Sequence, residues 1–311
     1  MAEDYERALQ LQRNINRVLI GKEETVRDVV ACFLADGHIL LEDVPGVGKT
    51  TLALALSRSL NCSFGRIQFT PDTLPSDVTG GSVYRMQTGE FVYQPGPVMN
   101  HIILADEINR TSPKTQSGLL EAMEERQVSV DGAIYPLPEP FLVIATQNPI
   151  EYVGTYPLPE AQLDRFMMKL SIGYPAEEEE LRMAQRFLSG EAANKIEAVL
   201  EPEDILEMRR EAAGIAVSDK VLSYAETIIS ATRKEEGLSL GASPRAFLHL
   251  LAAARAQAYL DGRDYVRPDD IKELAVKVLS HRLVLSPEAR IRRDSAREIL
   301  KRLIQRIRVP V

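Results

Sequence analysis

The stretch HILLEDVPGVGKTT at residues 38–51 constrains this 311-residue chain more than any other. A short apolar run leads into a turn rich in Gly and Pro, and a Lys-Thr pair then opens a helical pattern. In such a unit, backbone N–H groups point at an anion, while Lys49 adds a cation and Thr50 a hydroxyl that can bind magnesium. The sequence therefore predicts a phosphate-binding loop, whose cofactor-binding residues are Pro45, Gly46, Val47, Gly48, Lys49, Thr50 and Thr51.

The loop departs from the usual pattern G-x-x-x-x-G-K-[ST] at its first position, where Asp43 replaces Gly. Gly46 and Gly48 remain, so the chain can still turn tightly. A carboxylate at this position has to point away from the phosphates. A Gly-rich turn without a ligand would account for the glycines, but not for Lys49 and Thr50 at the anion-binding end of a helix.

Polar side chains end two further apolar runs. HIILADEINR (101–110) places Asp106 and Glu107 at a strand tip, where burial of two acids requires a compensating cation or hydrogen bonds. Together with the phosphate-binding loop, Asp106 becomes the candidate magnesium ligand alongside Thr50, and Glu107 the candidate base for an attacking water. FLVIATQNP (141–149) delivers Asn148, an amide that can orient this water or sense the γ-phosphate.

Two arginines complete the set of candidate catalytic residues. Arg165 lies in LDRF (163–166), and Arg245 lies in GASPRA (241–246) at a predicted helix start. A guanidinium suits charge on a transferring phosphoryl group because it stays ionised and binds phosphate through two N–H groups. Either arginine alone would more often be a surface ion-pair partner.

Hydrophobic periodicity divides the chain at about residues 174–176. Residues 3–35 predict helices separated at Gly21, and the chain after residue 176 predicts helices with almost no strand signal. Between them, short apolar runs alternate with helical patterns, which is typical of a mostly parallel sheet covered on both faces. The predicted strands are 38–42, 66–69, 101–105, 141–146 and 166–172, and the predicted hairpins are 82–94 and 127–137. The sequence thus predicts an α/β domain over 1–175 and an all-helical domain over 176–311.

Charge and cysteine content exclude several classes of protein. The net charge of −8 (37 basic and 45 acidic residues) disfavours a nucleic-acid partner. Cys32 and Cys62 are far apart and predict two buried thiols in a reducing compartment rather than disulfides or a zinc site. The N-terminus has no apolar signal region and no uncharged stretch could span a bilayer, so we expect a cytoplasmic protein without direct membrane insertion. The basic segment 286–311 carries one apolar stripe, which predicts an amphipathic helix packed inward.

The order of these motifs resembles the MoxR family of AAA+ ATPases over essentially the whole chain. The resemblance also rests on TPDTLPSDVTGG (70–81), PGPV (95–98), KTQSGLLEAMEERQVSVDG (114–132) and HRLVLSPEA (281–289). It implies an AAA+ P-loop core, a helical lid and a homo-oligomeric ring, usually a hexamer, that binds ATP and Mg²⁺ at subunit interfaces. Matched residue by residue, it implies Walker A at Lys49 and Thr50, Walker B at Asp106 and Glu107, sensor 1 at Asn148, the arginine finger at Arg165 and sensor 2 at Arg245. The two hairpins resemble the family's helix-2 insert and pre-sensor-1 hairpin.

The resemblance further implies chaperone-like remodelling or activation of protein clients, often proteins with a von Willebrand factor A domain. On this hypothesis one subunit supplies every site residue except Arg165, which comes from its neighbour. Three alternatives remain open: a chelatase-type ATPase subunit that drives metal insertion, a nucleic-acid-directed AAA+ motor, and a scaffold that binds ATP but scarcely hydrolyses it. TPDTLPSDVTGG argues against the first, and the net charge against the second.

Overall fold

Short parallel strands form the central sheet of the protein. The computed structural model describes residues 2–148, 154–189 and 196–310. The strands that precede residue 176 are β1 (Ile39–Glu42), β2 (Phe64–Gln68), β3 (Gly80–Arg85), β4 (Glu90–Pro95), β5 (Ile102–Asp106), β6 (Gln127–Val130), β7 (Ala133–Pro136), β8 (Leu142–Gln147) and β9 (Met168–Leu170). Five of them form one sheet in the order β2-β5-β8-β1-β9, and each neighbouring pair is parallel. This confirms the predicted parallel sheet, because each of its strands overlaps one of the apolar runs.

Helices pack on both faces of this sheet and make up most of the remaining chain. In order, they are α1 (Ala2–Asn16), α2 (Glu23–Leu34), α3 (Lys49–Ser59), α4 (Pro75–Thr79), α5 (Pro113–Glu125), α6 (Glu160–Leu163), α7 (Glu177–Leu188), α8 (Pro202–Ala213), α9 (Asp219–Thr232), α10 (Pro244–Leu260), α11 (Pro268–Leu279), α12 (Pro287–Ile291) and α13 (Ala296–Arg306). Gly21 lies between α1 and α2 with a φ of 70°, so the predicted division of the N-terminal helices is confirmed.

The two predicted hairpins are present as separate antiparallel pairs, β3 with β4 and β6 with β7. Asp131 and Gly132 form the turn between β6 and β7, with φ values of 50° and 81°. A two-residue hairpin turn with positive φ at both positions matches the right-handed twist of the strands, and Asp-Gly is one of the residue pairs that favour such a turn. The rings of Tyr93 and Tyr135 stack with their centroids 3.9 Å apart, so the two hairpins contact each other.

Alternate residues of β1 point to opposite faces of the sheet. Ile39 and Leu41 join a hydrophobic cluster with α1, α2 and α3, whereas Leu40 joins a second cluster with α5 on the other face. The first cluster continues without a break into the helices after residue 176, where it includes Leu250 and Ile271. The N-terminal helices therefore share a core with the C-terminal helices.

The chain after residue 176 is helical as predicted, apart from one short antiparallel pair, β10 (Leu238–Leu240) with β11 (Val284–Leu285). Hydrophobic periodicity cannot reveal strands of two or three residues, because alternation of apolar and polar residues is recognisable only over about four to eight residues. The apolar stripe of α13 is buried through Ile299, Leu300, Leu303 and Ile304, which confirms its inward packing.

Three further predictions concern less regular features. Cys32 and Cys62 are free and buried, as predicted. The stretch 190–200 has little hydrophobic patterning, which predicts a loop, and only residues 196–200 of it lie among the described residues. Within the part of the chain that the structure describes, no helix is both long enough and apolar enough to cross a membrane.

Candidate active site

The carboxyl ends of β1, β2, β5 and β8 meet at one edge of the sheet and border a cavity of about 350 Å³. Ligands of open parallel sheets bind at this edge, because the loops that follow the strands converge there. The cavity is lined by Pro45, Gly46, Gly48, Lys49, Thr50, Thr51, Arg66, Gln68, Asp106, Glu107, Thr146 and Asn148. Most of the predicted site residues therefore lie around a single cavity.

The loop between β1 and α3 takes the shape that its glycines permit. Gly46 and Gly48 have φ values of 86° and 99°, a region that residues with side chains rarely adopt. Gly48 is also the N-cap of α3 and gives that helix no side-chain cap. The first N–H groups of α3 thus remain available to an anion, which is the arrangement of a phosphate site at a helix N-terminus.

Lys49 and Val47 have different positions in this loop. The Lys49 ammonium donates to the carbonyl oxygens of Asp43 and Val44, at 3.0 and 3.3 Å, and lines the cavity. Val47 does not line the cavity, because its side chain packs against the hydrophobic core. The other six predicted loop residues line the cavity, whereas the Val47 side chain fixes the loop onto the core.

The Asp43 carboxylate points away from the cavity and is buried. It accepts hydrogen bonds from the Ser171 hydroxyl (2.8 Å), the Ile172 N–H (2.6 Å) and the Gly173 N–H (3.1 Å). These residues follow β9 and lead toward the C-terminal helices. The residue that replaces Gly in the loop pattern thus ties the start of the phosphate-binding loop to the segment that connects the sheet with the helical part.

Replacing Asp43 by Ala is expected to lower the free energy of unfolding by about 2–4 kcal/mol, because one buried and one partly buried N–H group lose their acceptor. Nucleotide affinity should stay within about threefold of wild type, since a carboxylate that points away from the cavity adds little to binding. Urea unfolding and equilibrium binding of a fluorescent ATP analogue measure the two quantities. Asp72→Ala, which removes an exposed carboxylate, is the matched control. A large loss of nucleotide affinity without a loss of stability would contradict this role.

The acidic pair at the end of β5 is held by Thr146 on β8. The Thr146 hydroxyl accepts from the Glu107 N–H (2.9 Å) and lies 3.3 Å from Asp106 Oδ1, to which it donates. Glu107 has φ and ψ of 57° and 48°, a left-handed conformation that is costly for a residue other than Gly. Such local strain persists only where the surroundings enforce it, and it concentrates at functional sites.

Arg66 and Gln68 line the cavity but were not among the predicted site residues. Arg66 donates through Nε (2.9 Å) and Nη2 (2.8 Å) to Asp106 Oδ2, and Gln68 donates through Nε2 (3.2 Å) to Glu107 Oε2. The signal that could have found them is the alternation of β2, where residues i and i+2 share a face of the sheet. Arg110 contacts the same Glu107 oxygen at 3.2 Å.

Arg165 and Arg245 lie together, but not at the cavity. The two guanidinium groups contact opposite oxygens of the Glu124 carboxylate, Arg165 at 2.9 Å and Arg245 at 2.5 Å. The hydrogen bond from Arg245 holds the pKa of Glu124 below its usual range, and the charge of Arg165 acts in the same direction. Neither arginine lines the cavity of its own chain. The structure therefore does not place Arg245 where a residue that completes the site of its own chain would lie.

The position of Arg245 follows from how the start of α10 is anchored. Ser243, the N-cap of α10, donates to both oxygens of Asp164 at 3.0 Å, directly beside Arg165. Buried Arg282 lies 3.4 Å from Asp164 and donates to the carbonyl of Phe166 at 2.6 Å. The sequence motifs LDRF, GASPRA and HRLVL thus form one packed unit around Arg165.

Burial and the charge of Arg282 lower the pKa of His249 to about 3, so this imidazole is neutral at physiological pH. Its Nδ1 accepts from Arg282 Nη2 at 2.6 Å. A buried guanidinium requires such partners, because an unpaired buried charge is strongly destabilising. The unit that presents Arg165 and Arg245 is therefore stabilised from the side of the C-terminal helices.

The donors around the cavity fit magnesium. The Thr50 hydroxyl and the Asp106 carboxylate are hard oxygen donors on the same cavity. Among the described residues, no group of three or more His, Cys, Asp or Glu could hold a metal ion. Magnesium sites that use one or two protein oxygens, completed by water and substrate phosphates, need no such group.

Comparisons with known proteins find related families, sequences and a solved structure. Residues 38–168 match the family described as "ATPase family associated with various cellular activities (AAA)", and residues 230–303 match the AAA lid domain. The chaperone MoxR1 of Mycobacterium tuberculosis is 43% identical, with 95% of this chain and 80% of the relative covered. The protein YeaC of Bacillus subtilis is 51% identical, with coverages of 96% and 93%. A crystal structure of a protein from Cytophaga hutchinsonii superposes with a TM-score of 0.92 at 39% identity, over 100% of this chain and 97% of that protein.

Proposed function

Because this chain belongs to the MoxR family of AAA+ ATPases, we propose that it binds ATP with Mg²⁺ in the cavity at the sheet edge and hydrolyses it to remodel or activate partner proteins. The observation that carries this proposal is the convergence of Lys49, Thr50, Asp106, Glu107 and Asn148 on one cavity. A strand-to-helix loop for phosphate and a carboxylate pair beside it are the parts that phosphoryl transfer to water requires.

Each of these residues receives a role from its surroundings. Lys49 and the N–H groups at the start of α3 bind the phosphates. Thr50 and Asp106 hold the magnesium, which when bound neutralises phosphate charge. Glu107 accepts a proton from the attacking water, and Asn148 orients this water.

Arg165 and Arg245 complete the site of a neighbouring copy. Because both lie at Glu124 and away from their own chain's cavity, one surface presents both guanidinium groups. A surface that meets a different surface of an identical copy forms a head-to-tail interface, and such interfaces form a ring when the rotation between copies closes. We propose a ring of this kind, a hexamer as the family resemblance implies, with Arg245 acting from the same neighbour as Arg165.

The clients are proteins, and the relative named as a chaperone supports this proposal. We propose von Willebrand factor A domain proteins as clients, as the resemblance implies. The two hairpins expose large apolar side chains, Met86 and Phe91 on one and Ile134 on the other, which suits contacts with a protein client. We also propose that the boundary between the core domain and the lid domain lies between residues 175 and 176.

Phosphate release and nucleotide binding test the proposed site directly. Wild type is expected to hydrolyse ATP in the presence of Mg²⁺. Lys49→Ala should bind the fluorescent ATP analogue about tenfold or more weakly than wild type, because a charge-assisted contact to phosphate is lost. Lys272→Ala, an exposed lysine on α11, is the matched control. Wild-type turnover and affinity in Lys49→Ala would contradict the assignment of the phosphate site.

A further inference from the structure

Arg66 is a second cation on the cavity, and it already has a partner. Its Nε and Nη2 both contact Oδ2 of Asp106, at 2.9 and 2.8 Å. Lys49 does not take this position, since its ammonium donates to the loop carbonyls of Asp43 and Val44. Arg66 is therefore the cation that compensates the charge of the Asp106 carboxylate.

The two partners of this ion pair differ in how firmly they are held. The Asp106 side chain is 10% exposed and also accepts from Thr146, whereas the Arg66 side chain is 50% exposed. Arg66 lies on β2, an edge strand of the sheet, and lines the cavity. A buried carboxylate needs a compensating positive charge, but a half-exposed guanidinium is readily hydrated. If the pair separates, Arg66 is the partner that moves.

We propose that Arg66 is an internal counter-cation of Asp106. Arg66 has to leave this carboxylate when magnesium binds, so the ion pair sets the magnesium concentration that nucleotide binding requires. The inference rests on the proposed function, because it takes Asp106 as a magnesium ligand. A guanidinium on Oδ2 and a metal ion near the same carboxylate compete for the same negative charge. Once released, Arg66 lies on the cavity proposed for the phosphates, where its planar fork suits phosphate oxygens.

The test is equilibrium binding of a fluorescent, non-hydrolysable ATP analogue over a range of Mg²⁺ concentrations. Arg66→Ala should lower the half-saturating Mg²⁺ concentration about five- to tenfold, the effect expected for losing a partly exposed competing charge. In the absence of Mg²⁺, the same variant should bind the analogue more weakly than wild type, because the Asp106 carboxylate on the same cavity then lacks its counter-cation and repels the phosphates. Arg66→Lys should shift the Mg²⁺ requirement in the same direction but less, because an ammonium cannot make both contacts.

Two control variants remove one positive charge each without breaking this pair. Arg58→Ala changes an exposed residue at the far end of α3, and Arg110→Ala removes a partner of Glu107 rather than of Asp106. Neither should lower the Mg²⁺ requirement as Arg66→Ala does. An unchanged or raised requirement in Arg66→Ala, or an equal decrease in Arg110→Ala, would overturn the proposal.

The same titration separates this inference from the proposed function. If wild type binds no ATP analogue at any Mg²⁺ concentration, the proposed function fails. If wild type binds with a clear Mg²⁺ dependence that Arg66 does not alter, only the inference fails. Thermal melting of each variant shows whether it is folded. If Arg66→Ala does not fold, the shift in the Mg²⁺ requirement of Arg66→Lys tests the inference.

Discussion

Glu107→Gln is expected to bind ATP as tightly as wild type and to hydrolyse it at least about 100-fold more slowly. The amide has the shape of the carboxylate, so the hydrogen bond with Gln68 and the backbone at the end of β5 can persist. It cannot accept a proton from the attacking water, however, and positioned proton transfer contributes about 10²–10⁴ in rate. The loss should therefore appear in turnover and not in affinity.

Phosphate release and retention of labelled ATP on the protein measure the two halves of this prediction. Glu121→Gln, which changes an exposed glutamate on α5, controls for the loss of one acidic group. If Glu107→Gln hydrolyses ATP at the wild-type rate, another group is the base. If it no longer binds ATP, the role of Glu107 is in shaping the cavity.

Arg165→Ala is expected to lower turnover about 10³-fold or more, the effect of removing an arginine that stabilises charge on a transferring phosphoryl group. The fold should persist, because Arg245 still pairs with Glu124 and Asp164 still binds Ser243 and Arg282. Affinity for ATP should change much less than turnover, since the proposed role of Arg165 is to stabilise charge that develops during transfer of the phosphoryl group.

Steady-state turnover over a range of protein concentrations is the measurement, because a site shared between copies needs assembled copies. Arg165→Lys should recover only part of the activity, since an ammonium lacks the planar fork that binds phosphate through two N–H groups. Arg58→Ala is the matched control for loss of an exposed arginine. Normal turnover in Arg165→Ala would remove this residue from the site.

Much of the fold could be predicted because its signals are local. The apolar runs of the buried strands, the Asp131-Gly132 turn and the helical periodicity each follow from residues close together in the chain. The cavity could also be predicted in outline, since carboxyl ends of parallel strands meet at one edge of a sheet. Lys49, Thr50, Asp106 and Glu107 line the cavity for this reason.

The remaining features depend on contacts between distant segments. The ion pair of Arg66 with Asp106 joins two strands whose pairing no local pattern specifies. The position of Arg245 depends on Asp164, which precedes it by about 80 residues and holds the start of α10 through Ser243. The carboxylate of Asp43 could be expected to point away from the phosphates, but its three donors after β9 could not be identified from the sequence.

The proposed sharing of the site between copies makes an unusual prediction for mixtures of inactive variants. Glu107→Gln keeps an intact Arg165 and Arg165→Ala keeps an intact Glu107, so some interfaces of a mixed ring contain a complete site. With random assembly at equal concentrations, about a quarter of the interfaces are complete, because each requires one particular variant on either side of a head-to-tail contact.

ATP turnover by this mixture therefore tests most directly whether neighbouring copies complete each other's sites. We predict activity of about a quarter of wild type in the mixture, although each variant alone is nearly inactive. Size-exclusion chromatography with one variant labelled establishes that mixed assemblies form. Mixed assemblies with no activity above that of the separate variants would contradict a site built from Glu107 of one copy and Arg165 of the next.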